Sequence, residues 1–291
     1  MIKAGIYGAK GPTAATLIKI LVFHPDVNLV WVVDQNPPEP LSAQFRFLTG
    51  DTHLTTSQTN IPPDVADVVF IAVYDQNVAH FLEQLSPDTK VIDLTGTYRY
   101  NEQYTYGLPE INRKSLVHDC FRVACPSACA NLVELTLLPL ARNLMLTSDI
   151  SVAITTSQPI DVAAVEKEIA YLLTGVQNSF THGVKVENII DEKQRGITSK
   201  VKVHCTTALD LVKTLYDDYF DDHNFTFIID QPPLPGDVLG TNKCLMHLQS
   251  EAQQLIISAA IDNRLKGDAG TAVHCMNLIF GLHERVGLDT F

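Results

Sequence analysis

Cys129 stands where a thiol is best placed to do chemistry. The stretch Arg122-Val123-Ala124-Cys125-Pro126-Ser127-Ala128-Cys129-Ala130-Asn131 reads as a strand, a proline-marked turn and a helix running through Leu140. In the first turn of a helix the aligned peptide dipoles favour a thiolate, and a thiolate held there attacks an acyl carbon. The alternative is a packing thiol, since free cysteines are among the most buried residues. Histidine changes charge near neutral pH, so His182 in Thr181-His182-Gly183-Val184 and His204 after Val201-Lys202-Val203 are the candidate general acid–base groups.

A second segment, Gly8-Ala9-Lys10-Gly11-Pro12-Thr13-Ala14, lies between a strand and a helix. Glycines in such a turn let the backbone approach a pyrophosphate, and a small third residue lets helix and strand pack closely. Asp34 closes the next strand about 20 residues on, the spacing at which an acid accepts from a ribose hydroxyl. A carboxylate there repels a 2′-phosphate and leans toward NAD over NADP; alternatively Asp34 only opens the Asp-Gln-Asn-Pro-Pro turn. Asp93-Leu94-Thr95-Gly96-Thr97-Tyr98-Arg99 begins at a strand's C-terminal end, where Arg99 can grip a carboxylate or phosphate, or lie idle on the surface. Lys266-Gly267-Asp268-Ala269-Gly270 enters an apolar helix, read either as an anion-binding terminus or as a core helix with a flexible entrance.

These segments need a scaffold. Residues 2–7, 28–34, 68–73 and 90–94 are apolar strands alternating with helical patterns, which predicts a Rossmann-type doubly wound parallel sheet over 1–130. The helix after Ala14 stops at His24-Pro25, because a residue before proline is pushed out of the α region. Residues 35–66, rich in Pro, Thr and Gln, predict loops with one short helix. Strand-like runs at 149–155, 197–205, 225–230 and 253–261, with helical patterns at 161–173 and 206–218, predict a second α+β domain with a mixed sheet over 131–265. A helix over 266–291 is expected to return to the first domain.

Composition narrows the function classes. A formal net charge of −12 argues against a nucleic-acid or anionic-membrane surface. No stretch approaches the roughly 20 apolar residues of a membrane span, and the N-terminus lacks the pattern of a signal peptide. Six cysteines without a secretion signal read as cytoplasmic thiols. Cys125 and Cys129 form C-x3-C with no second pair at zinc spacing, so no metal is expected.

Taken in order, the segments resemble the N-acetyl-γ-glutamyl-phosphate reductases, within the aspartate-semialdehyde dehydrogenase-like group. The resemblance is carried by Gly8-x-x-Gly11 with His24-Pro25, Asp93-Leu94-Thr95 through Arg99, and Tyr106-Gly107-Leu108-Pro109-Glu110. It continues through Gly240-Thr241-Asn242 with Cys244, and Ala260-Ile261-Asp262-Asn263 into Lys266-Gly267-x-Ala269-Gly270-x-Ala272-Val273-x-x-Met276-Asn277. It implies NADP(H)-dependent reduction of an acyl phosphate to a semialdehyde, through a cysteine thioester assisted by histidine, in arginine biosynthesis. Asp34 sits awkwardly with an NADP preference, so NADP or NAD is the expected cofactor. It also implies Asn277 at the cofactor, Arg99 and Glu110 at the substrate, and a homodimer or homotetramer.

The sequence departs from that family at the catalytic turn. A gapless overlay sets Cys125-Pro126-Ser127-Ala128-Cys129 on Asn-Pro-Gly-Cys-Tyr, with Ala128 at the nucleophile's place and Cys129 one residue late. The pattern His-x-His-x-Pro-Glu survives only as His182-x-Val184-x-Val186-Glu187, and Thr155-Thr156-Ser157-Gln158-Pro159 stands where Ser-Gly-Ala-Gly is expected. A reductase of another acyl phosphate and a non-catalytic nucleotide-binding homologue are the alternative readings.

Overall fold

The computed structural model describes residues 1–58, 65–118 and 120–289. The backbone divides into two compact units: Met1–Pro126 joined by the segment from Asp268 onward, and Ser127–Gly267.

The first unit is built on six parallel strands: β1 (Ile2–Tyr7), β2 (Val27–Val33), β3 (Val68–Ile71), β4 (Lys90–Asp93), β5 (Thr105–Tyr106) and β6 (Arg122–Ala124). Their order is β2-β1-β3-β4-β6-β5, so the chain steps outward from β1 to β2 and then returns to β1's other edge. That reversal leaves a crevice at the carboxyl ends of β1 and β3, where open parallel sheets bind ligands. β3 is buried at every residue, as expected of a strand covered on both faces. The covering helices are α1 (Gly11–Phe23), α3 (Val78–Glu83), α4 (Pro109–Val117) and α8 (Gly270–Ile279), with a short α2 (Leu41–Gln44) in the connection after β2. α1 stops at His24, which is extended as its proline neighbour requires. Part of the loop expected over 35–66 lies outside the described residues.

The second unit has six strands in the order β10-β11-β12-β9-β7-β8, where β7 is Ile150–Thr156, β8 Val184–Ile190, β9 Ile197–His204, β10 Thr226–Ile228, β11 Cys244–Glu251 and β12 Gln254–Ile261. β7 and β8 pair in parallel, as do β10 and β11, while the central pairs are antiparallel. The helices are α5 (Ala128–Arg142), α6 (Val162–Val176) and α7 (Leu209–Phe220). β9 shows how the sheet is used: Ile197, Ser199, Val201 and Val203 are buried, while Lys200, Lys202 and His204 on the other face are exposed. α5 is buried from Cys129 to Ala141, so it forms the centre of the unit rather than an amphipathic cover.

Three features differ from the sequence reading. β8 and β11 are strands that periodicity does not reveal: β8 is an edge strand with several exposed residues, and β11 ends in Gln249-Ser250-Glu251. The C-terminal helix is also shorter than 266–291, because a π turn over Leu265–Ala269 precedes α8 and the described residues after Phe280 are turns. Among the described residues no helix is long and apolar enough to cross a membrane.

Candidate active site

Backbone hydrogen bonds lace together the strand ends that carry the glycine turn. Gly8 N–H donates to Val33 O at 2.9 Å and Ala72 N–H to Tyr7 O at 2.9 Å, which sets the turn, Asp34 and the segment after β3 around one opening. The resulting pocket, about 170 Å³, is lined by Gly8, Ala9, Lys10, Asp34, Gln35 and Asp75, with Tyr7, Val33 and Val73 behind them. Gly8 has φ +104 and a Cβ on it would lie 2.6 Å from Val73 Cγ2, while Gly11 has φ +88 and open space in front of it. This is a cradle a side chain would fill, so the residues present fit a dinucleotide pyrophosphate entering at α1's N-terminus. Gly11, Pro12 and Thr13 form α1's first turn, and Ala14 beneath them is fully buried. Gln35, Val73 and Asp75 were missed in the sequence; the signal for Asp75 was its place just beyond the end of β3.

Cys129 lies in the first turn of α5, but its surroundings oppose ionisation. Ser127 caps the helix by accepting from Ala130 N–H at 3.3 Å. The Glu168 carboxylate accepts from Ser127 N–H at 2.8 Å and from its hydroxyl at 2.7 Å. An anion from α6 thus already sits at the helix N-terminus. Burial, with Glu168 adding to it, pushes the Cys129 thiol up to about 12, opposite to the dipole effect expected from position alone. Ala128 takes the first helical position, against Gly267: a Cβ on Gly267 would lie 2.8 Å from the Ala128 methyl.

The two histidines are not beside this turn. Asn131 in α5's first turn donates to Lys266 O at 2.8 Å, and Gly267 N–H donates to Asp262 O just past the end of β12. The last residue of β12, Ile261, pairs with Ile197, the first residue of β9. His204 closes β9 at the opposite end, about 23 Å from Ile197 at ~3.3 Å per residue. His182 precedes Val184, which pairs with Ile150, and Ser151 in turn pairs with Lys202, so it belongs to His204's end of the sheet. His182 lies 3.9 Å from Asp149 Oδ1 with its side chain 40% exposed. The expected Cys129–histidine site is therefore corrected: within the unit, strand length separates the thiol from both imidazoles.

Arg99, Asp93 and Asp268 gather above the first sheet. Asp93 accepts from Thr95 N–H at 2.9 Å and from Tyr98 N–H at 3.2 Å, shaping the loop that carries Arg99. Arg99 donates through Nε to Cys125 O at 2.8 Å. The Cys125 thiol is pushed well above its ordinary range by a hydrogen bond with Cys275 and by burial. Thr13 donates its hydroxyl to Asp268. Desolvation raises the Asp268 carboxyl from 3.8 to about 6 against the opposing effects of Thr13 and Arg99. The raised value means that the folded chain holds a proton that the unfolded chain has released, so stability falls as pH rises from about 4 to about 6. At about 1.4 kcal/mol per pH unit the cost is bounded near 3 kcal/mol, and partial exposure reduces it to about 1–2 kcal/mol. Asp268→Asn is expected to raise unfolding free energy by that amount at pH 7.5 and to leave it unchanged at pH 4. Urea melts at the two pH values check this; an equal gain at both would refute it.

Asn277, expected at the cofactor, is committed elsewhere. Its amide donates to Glu284 O at 3.1 Å and Val286 O at 2.8 Å, and its oxygen meets His24 Nε2 at 3.1 Å. Glu110 is likewise buried in α4's first turn, close enough to Glu284 to influence its charge, and does not line the pocket. Asn277 ties the C-terminal segment to α8, and Arg113 of α4 pairs with Glu284 of that segment; pattern matching cannot separate such a structural role from ligand binding.

Comparison with known proteins supplies the lineage of this arrangement. Residues 3–118 match the family model described as semialdehyde dehydrogenase, NAD binding domain, and residues 166–263 match the semialdehyde dehydrogenase dimerisation domain. N-acetyl-γ-glutamyl-phosphate reductases of Parabacteroides distasonis and Bacteroides thetaiotaomicron are 35% and 36% identical over 317 aligned positions, covering 99% of this chain and 98% of each relative. Those alignments are longer than the 291-residue chain, so the relatives carry segments that it lacks. Aspartate semialdehyde dehydrogenase II of Vibrio cholerae, complexed with ASA, shares the fold with a TM-score of 0.76 at 14% identity, over 97% of this chain and 98% of that one. The Candida albicans aspartate semialdehyde dehydrogenase with NADP gives 0.69 at 13% identity, over 97% of this chain and 99% of that one. With near-complete coverage at this identity, and with the glycine turn and doubly wound sheet in place, the chain belongs to the N-acetyl-γ-glutamyl-phosphate reductase family.

Proposed function

We propose that this protein uses NADH or NADPH to reduce an acyl phosphate, N-acetyl-γ-glutamyl phosphate, to its semialdehyde. The observation that carries the reading is the Gly8–Gly11 cradle with Asp34 across the pocket, in a chain aligned almost end to end with reductases of that name. Gly8, Lys10 and the first turn of α1 hold the pyrophosphate, and Asp34 accepts from the ribose. When bound, the reduced nicotinamide supplies the hydride. Cys129 is the nucleophile: its sulfur bonds to the acyl carbon as phosphate leaves, and the thioester keeps that carbon electrophilic. Arg99 is the cation for the substrate's anionic groups. The protein acts in the cytoplasm as a homodimer or homotetramer, in keeping with the match to a dimerisation domain.

A specific observation favours a second reading, a nucleotide-binding homologue without turnover. Glu168 occupies the amide end of α5, Ala128 holds its first position, and His182 and His204 lie at the far end of the sheet. The test follows semialdehyde oxidation with NAD(P)+ and phosphate by absorbance of the reduced cofactor. Under the first reading Cys129→Ser abolishes turnover. In the wild type the rate then climbs about tenfold per pH unit through neutrality, because a thiol titrating near 12 is thiolate in under about one part in ten thousand at pH 7.5. Cofactor binding with no turnover at any pH establishes the second.

A further inference from the structure

We propose that the pocket selects NAD(H) over NADP(H), and that Asp75 is a second selectivity residue acting beside Asp34. The inference rests on reading this pocket as the dinucleotide site.

Both carboxylates line the pocket, one from the end of β2 and one from the loop after β3. Each is held in place. Asp34 accepts from the Asn36 side chain at 2.9 Å and its backbone N–H at 3.4 Å. Asp75 is pinned harder: the Tyr7 hydroxyl reaches both its oxygens at 3.1 Å, Asn77 N–H donates at 2.7 Å, and the Gln35 amide donates from beside Asp34. Tyr7 is buried and packs against Phe81 with ring centroids 4.8 Å apart and the planes tilted by 43°, so the group that aims Asp75 belongs to the core. A carboxylate so fixed cannot swing away from an incoming phosphate.

The two acids differ in what they have left to give. A carboxylate offers about four acceptor positions. Among the described residues the Asp34 carboxylate meets donors from Asn36 alone, which leaves it capacity for ribose hydroxyls. Asp75 receives donors on both oxygens from three residues, so toward a ligand it acts through charge. A 2′-phosphate carries about two negative charges at neutral pH, and two rigid anions facing it disfavour NADP(H) without penalising NAD(H). Lys10 is the cation in the lining, and it caps α1 beside Gly11, where the pyrophosphate docks. The pyrophosphate is common to both cofactors, so a charge directed at it does not discriminate between them.

The purified full chain is titrated with NADH and NADPH, following nucleotide fluorescence and heat, with no substrate present. Wild type is expected to bind NADH at least about tenfold tighter, and 0.5 M salt is expected to narrow the ratio. Asp75→Asn narrows it about fivefold or more through tighter NADPH binding, whereas Asp34→Asn also weakens NADH because a ribose acceptor is lost. Equal or tighter binding of NADPH to wild type overturns the proposal, as does an Asp75→Asn ratio matching wild type. Binding of neither nucleotide overturns the reading of the pocket itself, and the selectivity with it.

Discussion

Gly8→Ala is expected to cost about 3 kcal/mol of stability and to remove measurable binding of NADH and NADPH. Two effects combine. The backbone at φ +104 is one that residues with a Cβ rarely adopt, at about 1–3 kcal/mol. The new methyl would also lie 2.6 Å from Val73 Cγ2 and 2.9 Å from Val73 N, and overpacking of that kind costs about 1–3 kcal/mol. Val73 N–H donates to Tyr7 O at 3.3 Å, so moving Val73 disturbs β1's end and the pocket wall together. Nucleotide titration and urea unfolding of the same preparation check both parts. Wild-type affinity in a folded Gly8→Ala protein would show that the turn does not hold the cofactor.

Glu284→Ala is expected to cost about 3–5 kcal/mol, the penalty for breaking a buried ionic contact. The Glu284 side chain is 4% exposed and meets His274 Nε2 at 2.6 Å, with His274 itself 2% exposed and Arg113 on its other oxygen. Burial raises this carboxyl, but the His274 hydrogen bond, the charges of His274 and Arg113 together outweigh it and hold the group below its ordinary value. A depressed carboxyl stabilises the fold above its unfolded value, about 4.5, and loses that contribution as pH falls through the folded one. The destabilisation should therefore be full at pH 7 and shrink at pH 3.5, with Glu284→Gln losing less than Glu284→Ala at neutral pH. Urea melts across that range check it, and a cost independent of pH would assign the effect to lost packing alone.

Both predictions concern the first unit, where the sequence was most readable. Parallel strands buried on both faces announce themselves as continuous apolar runs, and glycines near a strand end mark a turn whose backbone conformation excludes other residues. Gly8, Gly11, Ala14 and Asp34 followed from spacing alone. Asp75 did not, because an acid in a polar loop gains meaning only when β3 sets it beside β2.

The catalytic segment shows the other side of this division. Sequence by itself determined the strand–turn–helix around Cys129, the doubly wound and mixed sheets, and the kinship with the reductases, since these depend on local conformation and hydrophobic period. Only the tertiary structure decided that Glu168, from α6, fills the end of the helix behind which Cys129 is buried. It also decided that Asn277 anchors the C-terminal segment, that Glu110 is buried in α4 away from the pocket, and that His182 and His204 stand a strand's length from the thiol. Charge and burial act through space, so a thiol's pKa and a histidine's reach depend on which elements pack against them, and the chain order around Cys129 carries no trace of Glu168.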